Sequence, residues 1–278
     1  MAGGHKFFVL CYTGYTFIEM IHNIIRDRPT RLFIILGGFF VANAIIAEMI
    51  GVKIFSLEDS LNIQKADFSL FNADHLSFSL SVGVLPWPVI FVTTDIINEY
   101  YGVKGVRFLT VLTAALIAFA FIIFYFAIHA SPDTAYWLTS NASAGVPDMQ
   151  AAFAAIFGQG MNIIVGSLTA FLLGQIADAF IFRKIKFLTG ERRIWMRATL
   201  STLVSQLIDS FIVTYIAFYL FRGVSFGQCT AWAITAYTYK FVIAILFTPV
   251  VYLIHWIAEK YLGRELAAQM KQSAMKGY

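Results

Sequence analysis

The sequence predicts an all-α integral membrane protein: six transmembrane helices in a compact bundle, the second broken at Pro86–Pro88, preceded by an N-terminal amphipathic helix. Three observations carry this expectation. Hydrophobic residues make up 59% of the 278-residue chain and charged residues 13%, about half the charged share of a soluble domain. Six stretches stay apolar over the roughly 20 residues that a helix needs to cross the hydrocarbon core. Within those stretches lie Asp95, Glu99, Asp178, Asp209 and Lys240. A charge at bilayer depth costs roughly 2.5–3.5 kcal/mol on insertion scales, so such residues face a cavity, a partner or a substrate.

Residues 1–31 read as a cytoplasmic or interfacial segment. From Lys6 to Ile25 the chain is apolar but broken by Glu19 and His22, and Met20, Ile21, Ile24 and Ile25 share one face. That pattern fits an amphipathic helix lying in the membrane interface. No small-residue cleavage site follows, so it does not read as a signal peptide. The membrane domain, 32–261, holds spans at 32–55, 77–100, 106–129, 151–182, 196–221 and 229–258. The connection 56–76 is polar and acidic, and 130–150 is rich in Ser, Pro, Asp and Asn. The fourth span is long enough to tilt or to begin as an interfacial turn. Residues 262–278 form a cytoplasmic tail. With the N-terminus inside, sixteen of the twenty Lys and Arg fall on the cytoplasmic side and three outside, with Lys240 inside span six. This is a strong positive-inside bias and makes both termini cytoplasmic. The net charge of +4 is too diffuse for a nucleic-acid stripe. Cys11 and Cys229 lie far apart in apolar surroundings and form neither a disulfide framework nor a metal-ligand pair. No cofactor is expected.

The chemistry concentrates in four places. Pro86 and Pro88 flank Trp87; a proline lacks the N–H donor and pushes the preceding residue out of helical geometry. A break near the midplane is therefore expected, and irregular backbone at that depth lines a cavity or packs in protein. Just beyond, Asp95 and Glu99 are four residues apart and project from one face, flanked by Thr94 and Asn98. Two like charges at that spacing repel. They call for a cation, a protonated partner or a hydrogen-bond-donating ligand. The plain alternative for Glu99 is that it has reached the headgroups and pairs with Lys104 or Arg107. Spans four and five share a short pattern, Leu172-x-x-Gln175-x-x-Asp178 and Leu203-x-x-Gln206-x-x-Asp209, and consecutive spans run antiparallel, as inverted repeats do. Gly166, Ala170 and Gly174 form a small-residue ridge for close packing. In span six, Lys240 follows Tyr237 by three residues and needs a counter-ion, with Asp209 the first candidate. Asn43, near the middle of span one, belongs to the same class, and Glu48 tends toward the outer surface.

Asn43, the run from Pro88 to Gly102 with its core Asp95-Ile-Ile-Asn98-Glu99-x-Tyr101-Gly102, Gln175-x-x-Asp178, Gln206-x-x-Asp209 and Lys240 together resemble the queuosine precursor transporter family. The resemblance runs from about Leu32 to Tyr261. It implies a six-helix protein of the bacterial inner membrane that imports 7-deazaguanine bases for tRNA modification: 7-cyano-7-deazaguanine, 7-aminomethyl-7-deazaguanine or queuine. It also implies a substrate site formed by Asn43, Asp95, Asn98, Glu99, Gln175, Asp178, Gln206, Asp209 and Lys240, to which the residue chemistry adds Trp87 and Tyr237. The residue chemistry agrees. A guanine-like edge offers two adjacent N–H donors, which a carboxylate accepts together, and a carbonyl that Gln, Asn or Lys can satisfy. Trp87, Tyr237 and several phenylalanines supply an apolar slot for a flat ring.

Two other classes compete. A substrate-capture subunit of an energy-coupling-factor-type vitamin transporter would need a separate energising module. Such subunits commonly show Ala-x-x-x-Ala in span one, whereas this chain reads Val41-Ala42-Asn43-Ala44-Ile45-Ile46-Ala47. A carrier of another nucleobase-like heterocycle would use the same chemistry. An intramembrane enzyme is disfavoured, because the spans carry no paired Ser/His, His-x-x-x-His or Gly-x-Ser-x-Gly motif. The expected partners are the small-molecule base and the lipid bilayer, with no nucleic acid. Assembly as a homo-oligomer is left open.

Overall fold

A computed structural model describes residues 26–71, 73–158, 161–189 and 194–276. The amphipathic segment expected between Lys6 and Ile25 lies outside the described residues. Helix α1, Arg28–Ile50, opens on a full N-cap. Asp27 accepts from the Thr30 N–H at 3.0 Å and from its hydroxyl at 2.6 Å, and Pro29 sits in the first turn, where its missing donor costs nothing. The polar connection that follows carries four short strands: β1 (Ile54–Ser56), β2 (Phe68–Leu70), β3 (Ala73–Leu76) and β4 (Ser79–Ser81). They pair antiparallel as β1–β4 and β2–β3, with the one-turn helix α2, Leu57–Ser60, between β1 and β2. Phe68, Leu70, Ala73 and Leu76 pack on Ala231 and Trp232 of a later helix. Strands of three or four residues are too short to display an alternating pattern, so the sequence showed only a polar linker.

Helix α3, Trp87–His129, takes in most of the second expected span and all of the third. The prolines do not break it in mid-membrane. Pro86 is the N-cap, Pro88 lies in the first turn, and a 3₁₀ turn at Val82–Val84 leads in. A proline at a helix start sits where the N–H is not needed and one in a kink removes a hydrogen bond, but the local sequence is the same for both. The discontinuity lies at Gly102, whose φ of 70° and ψ of −176° are non-helical. A Cβ on Gly105 would stand 3.4 Å from Ile97 Cγ2, although eight residues of straight helix span about 12 Å. The chain therefore folds back on itself here. Phe33 of α1 meets Tyr101 on one arm at 4.9 Å and Phe108 on the other at 6.5 Å. Positive φ favours glycine, and a side chain would also press on the Ala274 carbonyl at 3.2 Å.

The remaining helices are α4 (Met149–Phe157), α5 (Met161–Thr189), α6 (Ile194–Thr214, prolonged by a π turn at Tyr215–Leu220), α7 (Phe226–Leu246), α8 (Thr248–Leu262) and α9 (Arg264–Lys276). The expected fourth span is divided between α4 and α5. The expected sixth, 229–258, is interrupted at Phe247, with Pro249 in the first turn of α8. Among the described residues five helical stretches are long and apolar enough to cross a membrane: Arg28–Ile50, Val82–His129, Ile163–Thr189, Met196–Leu220 and Phe226–Leu246. The protein is thus a mostly helical membrane protein. Its main core joins α1, both arms of α3 and α5 through Phe40, Ile90, Ile97, Leu109, Ile117 and Phe171. Helices α5 and α6 approach closely over the glycine ridge: a Cβ at Gly166 would meet the Val213 carbonyl at 3.2 Å, and one at Gly174 would meet Asp209 at 3.6 Å. The C-terminal segment, expected only as a tail, is a helix that buries Ala267 and Ala274 and docks beside Gly102.

Candidate functional site

The first two turns of α3 face α6 and α7 across a pocket with about 480 Å³ of empty space, part of it open to the surroundings. Trp87, Phe91, Asp95, Thr202, Tyr239 and Lys240 are among its lining residues. A smaller, narrow cavity lies between α3, α5 and α6, lined by Trp87, Phe91, Phe171, Gln175, Gln206 and Asp209 among others. The two share Trp87 and Phe91, which stack on each other with centroids 5.6 Å apart and planes inclined by 20°. Lys240 Nζ donates to Asp209 Oδ2 at 2.5 Å, so the expected pair between spans five and six forms. One partner lines each cavity, and the ion pair stands on the boundary between them.

Asp95 owes its position to the register of α3 on α5. Thr94 Oγ1 donates to Gln175 Oε1 at 3.2 Å, and one turn later Asn98 Nδ2 donates to the Ala179 carbonyl at 3.2 Å. Each step of four on α3 matches a step of four on α5, so the two segments run parallel here. Asp178 falls within the same turn as Ala179, beside Asp95. Both carboxylates are 2% exposed. Asp178 Oδ1 accepts from Ser205 Oγ at 3.3 Å. In contrast, Asp95 Oδ1, Asp178 Oδ2, Gln206 Oε1 and Ser210 Oγ have no hydrogen-bond partner among the described residues. A buried polar group left unpaired costs about 1–3 kcal/mol. Of these residues, Asp95 lines the larger cavity and Gln206 the smaller, where each can receive an N–H or O–H donor.

Glu99 belongs to a different cluster. It is fully buried, takes Arg197 Nη2 on Oε1 at 2.6 Å, and takes Lys186 Nζ on Oε2 at 3.0 Å and on its own carbonyl at 2.9 Å. Its partners are therefore not Lys104 or Arg107. Lys186 and Arg197 had counted as loop charges, yet they lie in α5 and α6 and are 3% and 0% exposed. Their signal was the cost of Glu99 itself, which demanded a cation at the same depth. None of the three lines either cavity. Neither does Asn43, whose amide donates to the Phe39 carbonyl of its own helix at 2.8 Å, nor Tyr237, whose ring lies against Phe241. Tyr239 lines the larger cavity instead, and Phe91, one turn after Trp87, lines both. Glu48, expected toward the outer surface, accepts from Ser167 Oγ and comes within electrostatic range of Asp209. His255 of α8 is 3% exposed beside Tyr100, with neither ring nitrogen hydrogen-bonded among the described residues.

A family model described as "Putative vitamin uptake transporter" matches residues 81–254, a stretch that holds every residue lining the two cavities. The "Probable queuosine precursor transporter" of Bacillus subtilis is 29% identical over 182 residues, 62% of this chain and 70% of that relative. The protein of the same description from Haemophilus influenzae is 25% identical over 202 residues, 73% of this chain and 77% of the relative. The "Queuosine precursor transporter" of Escherichia coli is 26% identical over 178 residues, 62% and 71% respectively. No solved structure matches the chain. With the matched region covering the folded-back helix, the paired cavities and the charges between them, the chain belongs to the vitamin uptake transporter family, a family of transporters and not of enzymes.

Proposed function

We propose that the protein imports queuosine precursors, 7-deazaguanine bases, across the bacterial inner membrane, and that Asp95 is the residue that reads them. The names of the three relatives support the substrate class. The observation that carries the reading is the Asp95 carboxylate, buried with one oxygen unpaired, opening on a cavity bounded by Trp87, Phe91 and Tyr239. A charged carboxylate is acceptor-only and can take two parallel N–H groups from a guanine-like edge. Lys240 and Gln206 stand nearby to meet the base carbonyl and remaining polar atoms, while the aromatic rings flank a flat ligand. Thr94, Asn98 and Gln175 hold the register that keeps Asp95 and Asp178 side by side. Six crossings support this site, formed by α1, the two arms of α3, α5, α6 and α7, with both termini in the cytoplasm.

The test is rescue of tRNA queuosine in cells lacking both precursor synthesis and their own carrier, with each base supplied outside. We expect rescue by at least one 7-deazaguanine and none by guanine at matched concentration. Asp95→Asn keeps the shape but sets an N–H against a ligand N–H. It should lower uptake at least about tenfold, equivalent to about 1.4 kcal/mol, at equal membrane abundance. Unchanged uptake would remove Asp95 from the site.

A further inference from the structure

We infer that Asp178 carries a proton that travels with each substrate molecule, so that the proton gradient drives accumulation; this deepens the carrier function proposed above and rests on it. The inference starts from the buried charges. Glu99 holds two cations, Lys186 and Arg197, which gives that cluster one net positive charge. Asp209 and Lys240 cancel, as do Glu259 of α8 and Lys271 of α9. His255 adds no charge, because among the described residues no acceptor holds an imidazolium there. Glu48 of α1 accepts from Ser167 and lies within electrostatic range of Asp209, so its charge belongs with the Asp209–Lys240 group and is counted apart from the pair that follows. What remains are Asp95 and Asp178, two carboxylates packed together, with Arg197 the cation in electrostatic range of Asp95. Two negative charges against one net positive leave the Asp95–Asp178 pair one charge short of neutrality. A single proton balances it.

The geometry also says which carboxyl takes that proton. Asp95 lines the cavity and Asp178 does not. A ligand that presents two N–H donors to Asp95 requires it charged, since a carboxylic acid would oppose a donor to a donor. The proton is then left to Asp178, whose Oδ1 already accepts from Ser205 and whose Oδ2 is free to bear hydrogen. Substrate binding and protonation thus favour each other across one helix interface, which is thermodynamic coupling. No covalent bond of the substrate changes. A carboxylate gains a proton from the outer side, and the acid releases it inside once the base has left.

The experiment uses the full chain in proteoliposomes with labelled 7-cyano-7-deazaguanine. With acid outside, the base should accumulate against its own gradient, approaching roughly tenfold per unit of pH difference at one proton per substrate. A protonophore should collapse accumulation to equilibration, and an imposed sodium gradient should have no effect. Asp178→Asn, which is neutral at every pH, should lose the response of uptake to the pH gradient. Asp178→Glu, which keeps a carboxyl, should retain it. Transport that equilibrates the base but ignores the pH gradient, or follows sodium, overturns the proton coupling and leaves the carrier function standing. A gradient response that survives in Asp178→Asn overturns the assignment to this residue. A protein that exchanges neither this base nor labelled 7-aminomethyl-7-deazaguanine or queuine overturns both.

Discussion

Glu99 and Asp95 lie one helical turn apart on α3, are both buried, and are held in opposite ways. Glu99 has a cation on each carboxylate oxygen and no face toward a cavity. Among the described residues Asp95 has neither a hydrogen bond nor an ion pair on Oδ1, and it opens on a cavity. A buried charge held by two cations locks α3 to α5 and α6. A buried charge left unsaturated keeps interaction energy available for a ligand. Four residues thus separate a fastening from a recognition group, and burial alone does not distinguish them. The number of committed partners does.

That contrast is sharpened most by Glu99→Gln. It strands Lys186 and Arg197 as two buried cations, so thermal stability in detergent should fall by about 3–5 kcal/mol. Arg197→Met should cost less, because Lys186 still neutralises Glu99. Equal losses in the two variants would break the idea of one acid serving two bases. The Asp209–Lys240 pair tests the intermediate case, a closed contact on a cavity boundary. Asp209→Asn and Lys240→Met each leave one buried charge and should destabilise by up to about 3 kcal/mol, whereas the double variant should regain most of that loss. Transport should stay lost in the double variant. Strictly additive losses would deny the pair, and recovered transport would make it a fastening like Glu99.

The smallest effect is expected at the surface, where solvent weakens every charge interaction. Asp27→Ala removes the α1 cap and should cost about 1 kcal/mol. The Thr30 hydroxyl, and then its N–H, hold the Asp27 carboxyl below its ordinary value. The cap therefore contributes fully above pH of about 4, and its contribution fades as pH falls through the lowered folded value. The variant should show a correspondingly flatter acid limb in a stability–pH profile.

Much of this design is legible in the sequence. Periodicity and hydropathy located the apolar stretches, and the expense of a lone lysine in span six pointed correctly to Asp209. The glycine ridge at Gly166, Ala170 and Gly174 announced the tight α5–α6 contact. What escaped depends on register and on distant partners. Pro86 and Pro88 carry the same local signal at a helix start as at a break. Pro249 ends a span that hydropathy alone prolongs. Lys186 and Arg197 look like loop charges until α5 and α6 bring them to Glu99, 87 and 98 residues from it in sequence. Tyr237 and Tyr239 differ only in the face of α7 that they occupy, and no count of aromatics chooses between them.

The fold-back at Gly102 has a consequence for how the chain enters the membrane. The first arm of α3, from Trp87 to Tyr101, reaches the roughly 20 residues that a crossing helix needs only with the turn at Val82–Val84 before it, and it carries Asp95 and Glu99, each expensive in lipid. The second arm is long and carries no acid. Released from the ribosome in order, the first arm gains a stable place only when the second arm pairs with it as a hairpin turned on Gly102. Glu99 then waits in the bilayer for Lys186 and Arg197, which are synthesised later. Glu99→Gln should therefore insert more readily than the native chain even as it folds less stably.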